Sequence, residues 1–209
     1  MEFLIPLVIL IFSAVLHEIM HGAVADKLGD PTARIMGRLT LNPIPHLDPL
    51  MSILLPALLV FSGSPIIFGA AKPVPVNPIH FKDPKKDMAL TALAGPLTNI
   101  ALALISAQII RFLPLDPIID SFLFLVVIYN LMLSIINLIP IPPLDGSKVL
   151  AAILPDELAR AYLSIQQFGI FILFFLLFFP IGGFSLGRLI GNLIFFAVEA
   201  LGLSPTRFF

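Results

Sequence analysis

The chain has 209 residues, of which 58% are hydrophobic and only 12% charged, and its formal net charge is −1. A soluble domain carries roughly 25% charged residues, so this composition, with a mean hydropathy of +1.05, belongs to an integral membrane protein. There is no basic stripe for nucleic acid, and the lack of cysteine removes a disulfide framework and any thiolate metal site.

Largely apolar stretches at 3–25, 50–67, 88–112, 118–140, 163–180 and 185–203 are candidate membrane segments. The first lacks a basic leader and is expected to be retained as a helix. It contains His17-Glu18-Ile19-Met20-His21, an HExxH motif. Histidines four apart share one face of a helix, so both imidazoles can bind one metal ion. The glutamate beside the first histidine is placed to take a proton from an attacking water, the arrangement of a zinc hydrolase. Ionisable groups inside a membrane helix cost several kcal/mol and normally mark function.

After this helix, residues 34–41 alternate loosely between polar and apolar and suggest a strand or half of a hairpin. The closely spaced prolines of 41–45 and 72–78 favour extended backbone. In between, Pro49, Pro56 and Ser62-Gly63-Ser64-Pro65 interrupt 50–67 and permit a re-entrant segment. His46, near Asp48, could approach the metal entrance or bind a second ion, although a local hydrogen bond is the simpler reading. His80 reads as interfacial, and Lys82, Lys85 and Lys86 fit contact with anionic lipid headgroups.

Helix 88–112 carries Asn99, which could donate to an oxyanion but more simply packs near Gly95-Pro96, and helix 118–140 carries Asn130, read as structural. Asn137 could donate to a developing oxyanion or simply bond between helices. A zinc hydrolase needs a third protein ligand, and the candidate is Asp145, in a Pro-rich segment ahead of Gly146. Taken alone, that segment reads more simply as an Asp-Gly turn at the membrane surface. The run Phe171 to Phe179 is lipid-facing or helix-packing surface. Segment 185–203 carries Arg188, Asn192 and Glu199, which narrows its lipid face.

The HExxH motif, Ala94-Gly95-Pro96-Leu97-Thr98-Asn99, and Asn137-Leu138-Ile139-Pro140 running into Leu144-Asp145-Gly146 together resemble the site-2 protease family of intramembrane zinc metalloproteases. The loops from Gly29 to Pro49 and from Ala71 to Pro78 look like its compact prokaryotic branch, and the likeness spans about 3–155. The resemblance implies that His17, His21 and Asp145 bind Zn2+, that Glu18 activates the water and that Asn137 helps to stabilise the oxyanion. It implies a transmembrane protein or peptide as substrate, and no regulatory PDZ or CBS module is recognisable.

Sharing one ion requires His21 and Asp145 on the same side of the membrane. That holds if 50–67 is re-entrant, which leaves five spans. One side then carries Lys27, Arg34, Arg38, Lys72, Lys82, Lys85, Lys86, Lys148, Arg160 and Arg207, and the other Arg111 and Arg188. The positive-inside rule makes the crowded side cytoplasmic. The expectation is an all-α membrane protein of about five transmembrane helices with a re-entrant segment and extended or β-hairpin loops. Residues 1–209 form one protease domain, with C-terminal helices at about 160–205, in a prokaryotic cell membrane with the site toward the cytoplasm. A metal-ion transporter or a non-proteolytic scaffold is the alternative; the first would more naturally show internal repeats and polar residues along a path, and the second has no use for Glu18 as a base.

Overall fold

In the computed structural model the chain is described over residues 4–49 and 71–204, together with Leu54, Leu58 and Phe61. The helices are α1 (Leu4–Leu28), α2 (Thr32–Ile35), α3 (Pro84–Phe112), α4 (Pro117–Asn137), α5 (Asp145–Ile153), α6 (Asp156–Ser164), α7 (Gln166–Phe178) and α8 (Leu186–Ala200). Among the described residues the fold is helical, and the one β pairing is an isolated bridge between Ile181 and Phe184. Segment 50–67, expected to be re-entrant, lies outside the described residues apart from three isolated positions.

Local chemistry sets the helix ends. Asp83 and Asp116 accept hydrogen bonds from the N–H groups of Lys86 and Ile118, and each is followed by a proline in the first helical turn. That pairing satisfies an end donor and fixes φ for the helix. α1 stops at Gly29, whose φ of +112° suits a residue without a side chain.

α1, α3 and α4 pack together as the central bundle, α5 leans on α3, and α8 covers α4. The bundle core joins Ala103, Ala107 and Ile110 of α3 to Phe124, Val127 and Leu131 of α4, with Val198 and Leu203 beyond. The small side chains of α3 let α4 approach closely, which is how helices gain contact where burial from water offers little drive.

Among the described residues three helices, α1, α3 and α4, are each long and apolar enough to cross a membrane. At about 1.5 Å per residue each covers the roughly 30 Å hydrocarbon core. The single helix expected over 163–180 is instead a bent pair, α6 and α7, meeting at 65°. α8 has 15 residues, shorter than a typical span.

Residues 34–41 are not a strand. Pro31 and the Asp30 carboxylate, which accepts from the Thr32 N–H and hydroxyl, start α2 there, and Arg38 N–H closes the turn on the Ala33 carbonyl. Turn chemistry overrides the loose alternation. Residues 71–77 do lie outside any helix, and Asn77 is extended at φ −111°, ψ 104°. We refer to residues 71–80 as the strap.

Candidate metal centre

Two side chains of α1 meet a third that lies at least 124 residues further along the chain. His17 Nε2 and His21 Nε2 lie 2.9 Å apart, and Asp145 Oδ2 sits 3.1 Å from each. All three residues are buried. α1 supplies both histidines from consecutive turns, and α5 delivers Asp145 in its first turn.

The outer ring atoms fix the tautomers. His17 Nδ1–H donates to the Asn99 side-chain carbonyl at 2.5 Å, and His21 Nδ1–H donates to the Thr91 backbone carbonyl at 2.7 Å. Both Nε2 atoms of the neutral rings are therefore lone pairs, aimed at each other and at a carboxylate. Such a set repels itself unless a cation sits among its members. Zinc, with ligands at about 2.0–2.2 Å in a tetrahedron, would space them by about 3.3 Å, close to the separations seen. The donor set fits Zn2+.

The shell behind the ligands is continuous. Asn99 Nδ2 donates to Asn130 Oδ1 at 2.8 Å, and Asn130 Nδ2 donates to Ser13 Oγ at 2.9 Å and to the Val126 carbonyl. Asn99 and Asn130 are fully buried. The chain of amides links α1, α3 and α4 and holds the His17 ring in one orientation. Asn99 and Asn130, read from sequence as packing residues, support the site. Nothing in their spacing reveals this, because their partners lie on other helices.

Gly95 makes room. A Cβ there would come within 2.5 Å of both His17 Nε2 and His21 Nε2. Gly146 does the same for Asp145, since a Cβ would meet the Leu138 carbonyl at 2.2 Å. The other oxygen of Asp145 accepts from Lys148 Nζ at 3.0 Å, a contact one helical turn away. Burial opposes ionisation of Asp145, and the Lys148 ammonium beside it favours the carboxylate.

Glu18 stands beside the ligands, its donor atom within 4.8 Å of those of His17 and His21. Its Oε2 accepts the Val74 N–H of the strap at 2.7 Å. The strap is tied down elsewhere: Lys72 N–H donates to the His46 carbonyl, Arg38 Nη2 to the carbonyls of Lys72 and Pro73, and Asn77 N–H to Asp30 Oδ2 at 2.6 Å. His80 Nδ1 also meets Asp30 Oδ1 at 2.8 Å. Burial alone would raise the Asp30 pKa; the bonds from Thr32, Asn77 and His80 reverse that and hold it below its ordinary value. The roles of Asp30 and Lys148 escaped the sequence reading.

A pocket of about 320 Å³ opens over the ligands, lined by Glu18, Val74, Val76, Met88 and Asn137 among others. Asn137 reaches this pocket, and its amide donates back to the Leu133 carbonyl at 2.9 Å. His46 is turned away from the ligands: its Nε2 bonds the Thr40 carbonyl at 3.0 Å, the local reading.

Comparison with known proteins converges on one group. The profile of Peptidase family M50 matches residues 113–180. The Bacillus subtilis protein named "Putative zinc metalloprotease YwhC" is 37% identical over 187 residues, covering 85% of this chain and 81% of that protein. The chain belongs to peptidase family M50. Rip2 of Mycobacterium tuberculosis, similarly named, is 33% identical over 80% of this chain and 64% of its own length. Zinc metalloprotease MJ0392 of Methanocaldococcus jannaschii is 30% identical over 72% of this chain and 34% of its own length. No solved structure is significantly similar to the chain. As an M50 member, the chain is an intramembrane zinc metalloprotease, which agrees with its apolar helices and with the donor set.

Proposed function

We propose that His17, His21 and Asp145 hold the zinc ion, that Glu18 is the general base, and that the substrate is the transmembrane region of another protein. One observation carries this reading: three metal-type donor atoms, from residues up to 128 positions apart, meet within 3.1 Å where their lone pairs demand a cation. Zinc supplies Lewis acidity, bringing the pKa of water toward neutrality and polarising the scissile carbonyl. Glu18 accepts the water proton on its carboxylate and returns it to the leaving amine. Its bond from Val74 N–H orients the carboxylate and leaves Oε1 for that proton. Asn137 can turn from the Leu133 carbonyl and donate to the oxyanion, where a dry pocket makes the contact count most.

The membrane arrangement is part of the same proposal. Five spans, one re-entrant segment at 50–67 and a single domain over 1–209 put His21 and Asp145 on one side, and the excess of Lys and Arg makes that side cytoplasmic. A helical substrate must open before its amides can react. The strap offers an extended edge for the opened chain, and Val76, whose backbone has no hydrogen-bond partner among the described residues, is the residue best placed for pairing.

The test is purified protein with a transmembrane reporter substrate. Glu18→Gln is expected to lose cleavage by about a thousandfold while retaining one zinc per chain, because it removes the base and keeps every ligand. Loss of zinc in that variant, or cleavage at the wild-type rate, would refute the assignment.

A further inference from the structure

A second cleft, of about 450 Å³, lies beside the metal centre between α3, α5 and α6. Met88 and Lys148 line both hollows, so the two adjoin. The strap follows it as well: Val74 and Val76 line the metal pocket, and Pro78 reaches the second cleft. Much of that cleft is apolar, with Ala159 and Leu163 of α6 along its far side. Its cations are not equivalent. Lys85 is engaged with Asp156 at 2.9 Å and with the Leu154 carbonyl, and Lys148 is engaged with Asp145. Arg160 makes no ion pair among the described residues and is exposed at the rim.

We infer that this cleft holds the substrate chain as it leaves the metal centre, and that Arg160 selects an acidic side chain there. The inference rests on the protease reading above and specifies its substrate. An extended peptide advances about 3.3 Å per residue, so a chain lying beside the strap from Val74 to Pro78 enters the cleft about three to five residues from the cleaved bond. A carboxylate at that point meets a guanidinium that feels the charge of Asp156 but is not held by it in an ion pair, and the planar fork of arginine suits carboxylate geometry. An anionic lipid headgroup offers the same charge. The cleft favours peptide because it adjoins the metal pocket across Met88 and Lys148 and the strap lines both, which is the course of a polypeptide.

The experiment scans a transmembrane reporter, placing a single Asp or a single Lys at each position flanking the cleaved bond, with the full-length protein in phosphatidylcholine vesicles. On one side only, about three to five residues from the bond, Asp should exceed Lys in kcat/KM by about three- to fivefold, the scale of a partly exposed ion pair. Arg160→Glu should reverse the order at that position. A flat profile, or a preference that survives Arg160→Glu, overturns the inference. So does a charge effect that appears only when phosphatidylglycerol is added and ignores the substrate residue. An uncharged reporter cut by the wild type and not by Glu18→Gln keeps the protease reading intact when the scan is flat, so the two failures are separable.

Discussion

The rear and the front of the metal centre are built by different means. At the rear, His17, Asn99, Asn130 and Ser13 form a buried chain of hydrogen bonds across three long helices. At the front, the strap is a proline-punctuated segment held by Glu18, Asp30, Arg38 and His46 at its two ends. A rigid rear keeps the ligand geometry ready between turnovers. A front held from outside the helical core can shift when a peptide enters, because opening it breaks contacts at discrete points and leaves the core intact.

Gly95→Ala attacks the rear hardest. A methyl group 2.5 Å from both Nε2 atoms must displace the rings, so zinc content measured on the purified variant should fall to near zero, and cleavage with it. If zinc is retained, the rear is softer than described. Asn99→Ala removes the acceptor of the His17 Nδ1–H, and zinc affinity measured by chelator competition should drop about 10- to 100-fold. Asn130→Ala acts one bond further away, so a smaller loss of about threefold to tenfold is expected in the same assay.

The front responds to acid. The folded Asp30 pKa lies below its unfolded value of about 3.9. Its contribution to holding the strap is therefore complete above that unfolded value and is lost as pH falls through the folded one. Hydrogen exchange at Asn77 N–H should accelerate over that acidic window in the wild type, while Asp30→Asn should show faster exchange already at neutral pH. Arg38→Ala should do least: it frees the Lys72 and Pro73 carbonyls, raising KM about two- to fivefold with kcat little changed. A kcat loss larger than the KM effect would mean that Arg38 also fixes the Val74 N–H that orients Glu18.

The rear's two histidines were legible because their contact is intrahelical: a spacing of four places them on one face whatever else the chain does. Asp145 was legible only through the family resemblance and the side-of-membrane bookkeeping, since its own segment looks like a turn. The link from Asn99 and Asn130 to the His17 ring was not legible because their partners lie on other helices, and one-dimensional spacing carries no such information. Residues 34–41 misled because loose alternation there competes with Pro31 and the Asp30–Thr32 turn, which is the stronger local instruction. The break between α6 and α7 falls among Ser164, Ile165 and Gln166, where the polar residues are too few to interrupt an apolar run on paper.

Helix α3 touches the metal centre at Thr91, Gly95 and Asn99, one residue per turn along a single stripe. The three contributions differ in kind: a backbone acceptor, an open space and a side-chain acceptor. All are lost together if the helix is rolled by one residue, about 100° about its axis. The azimuth of α3 therefore works like the cut of a key, and the small residues facing α4 keep it from turning.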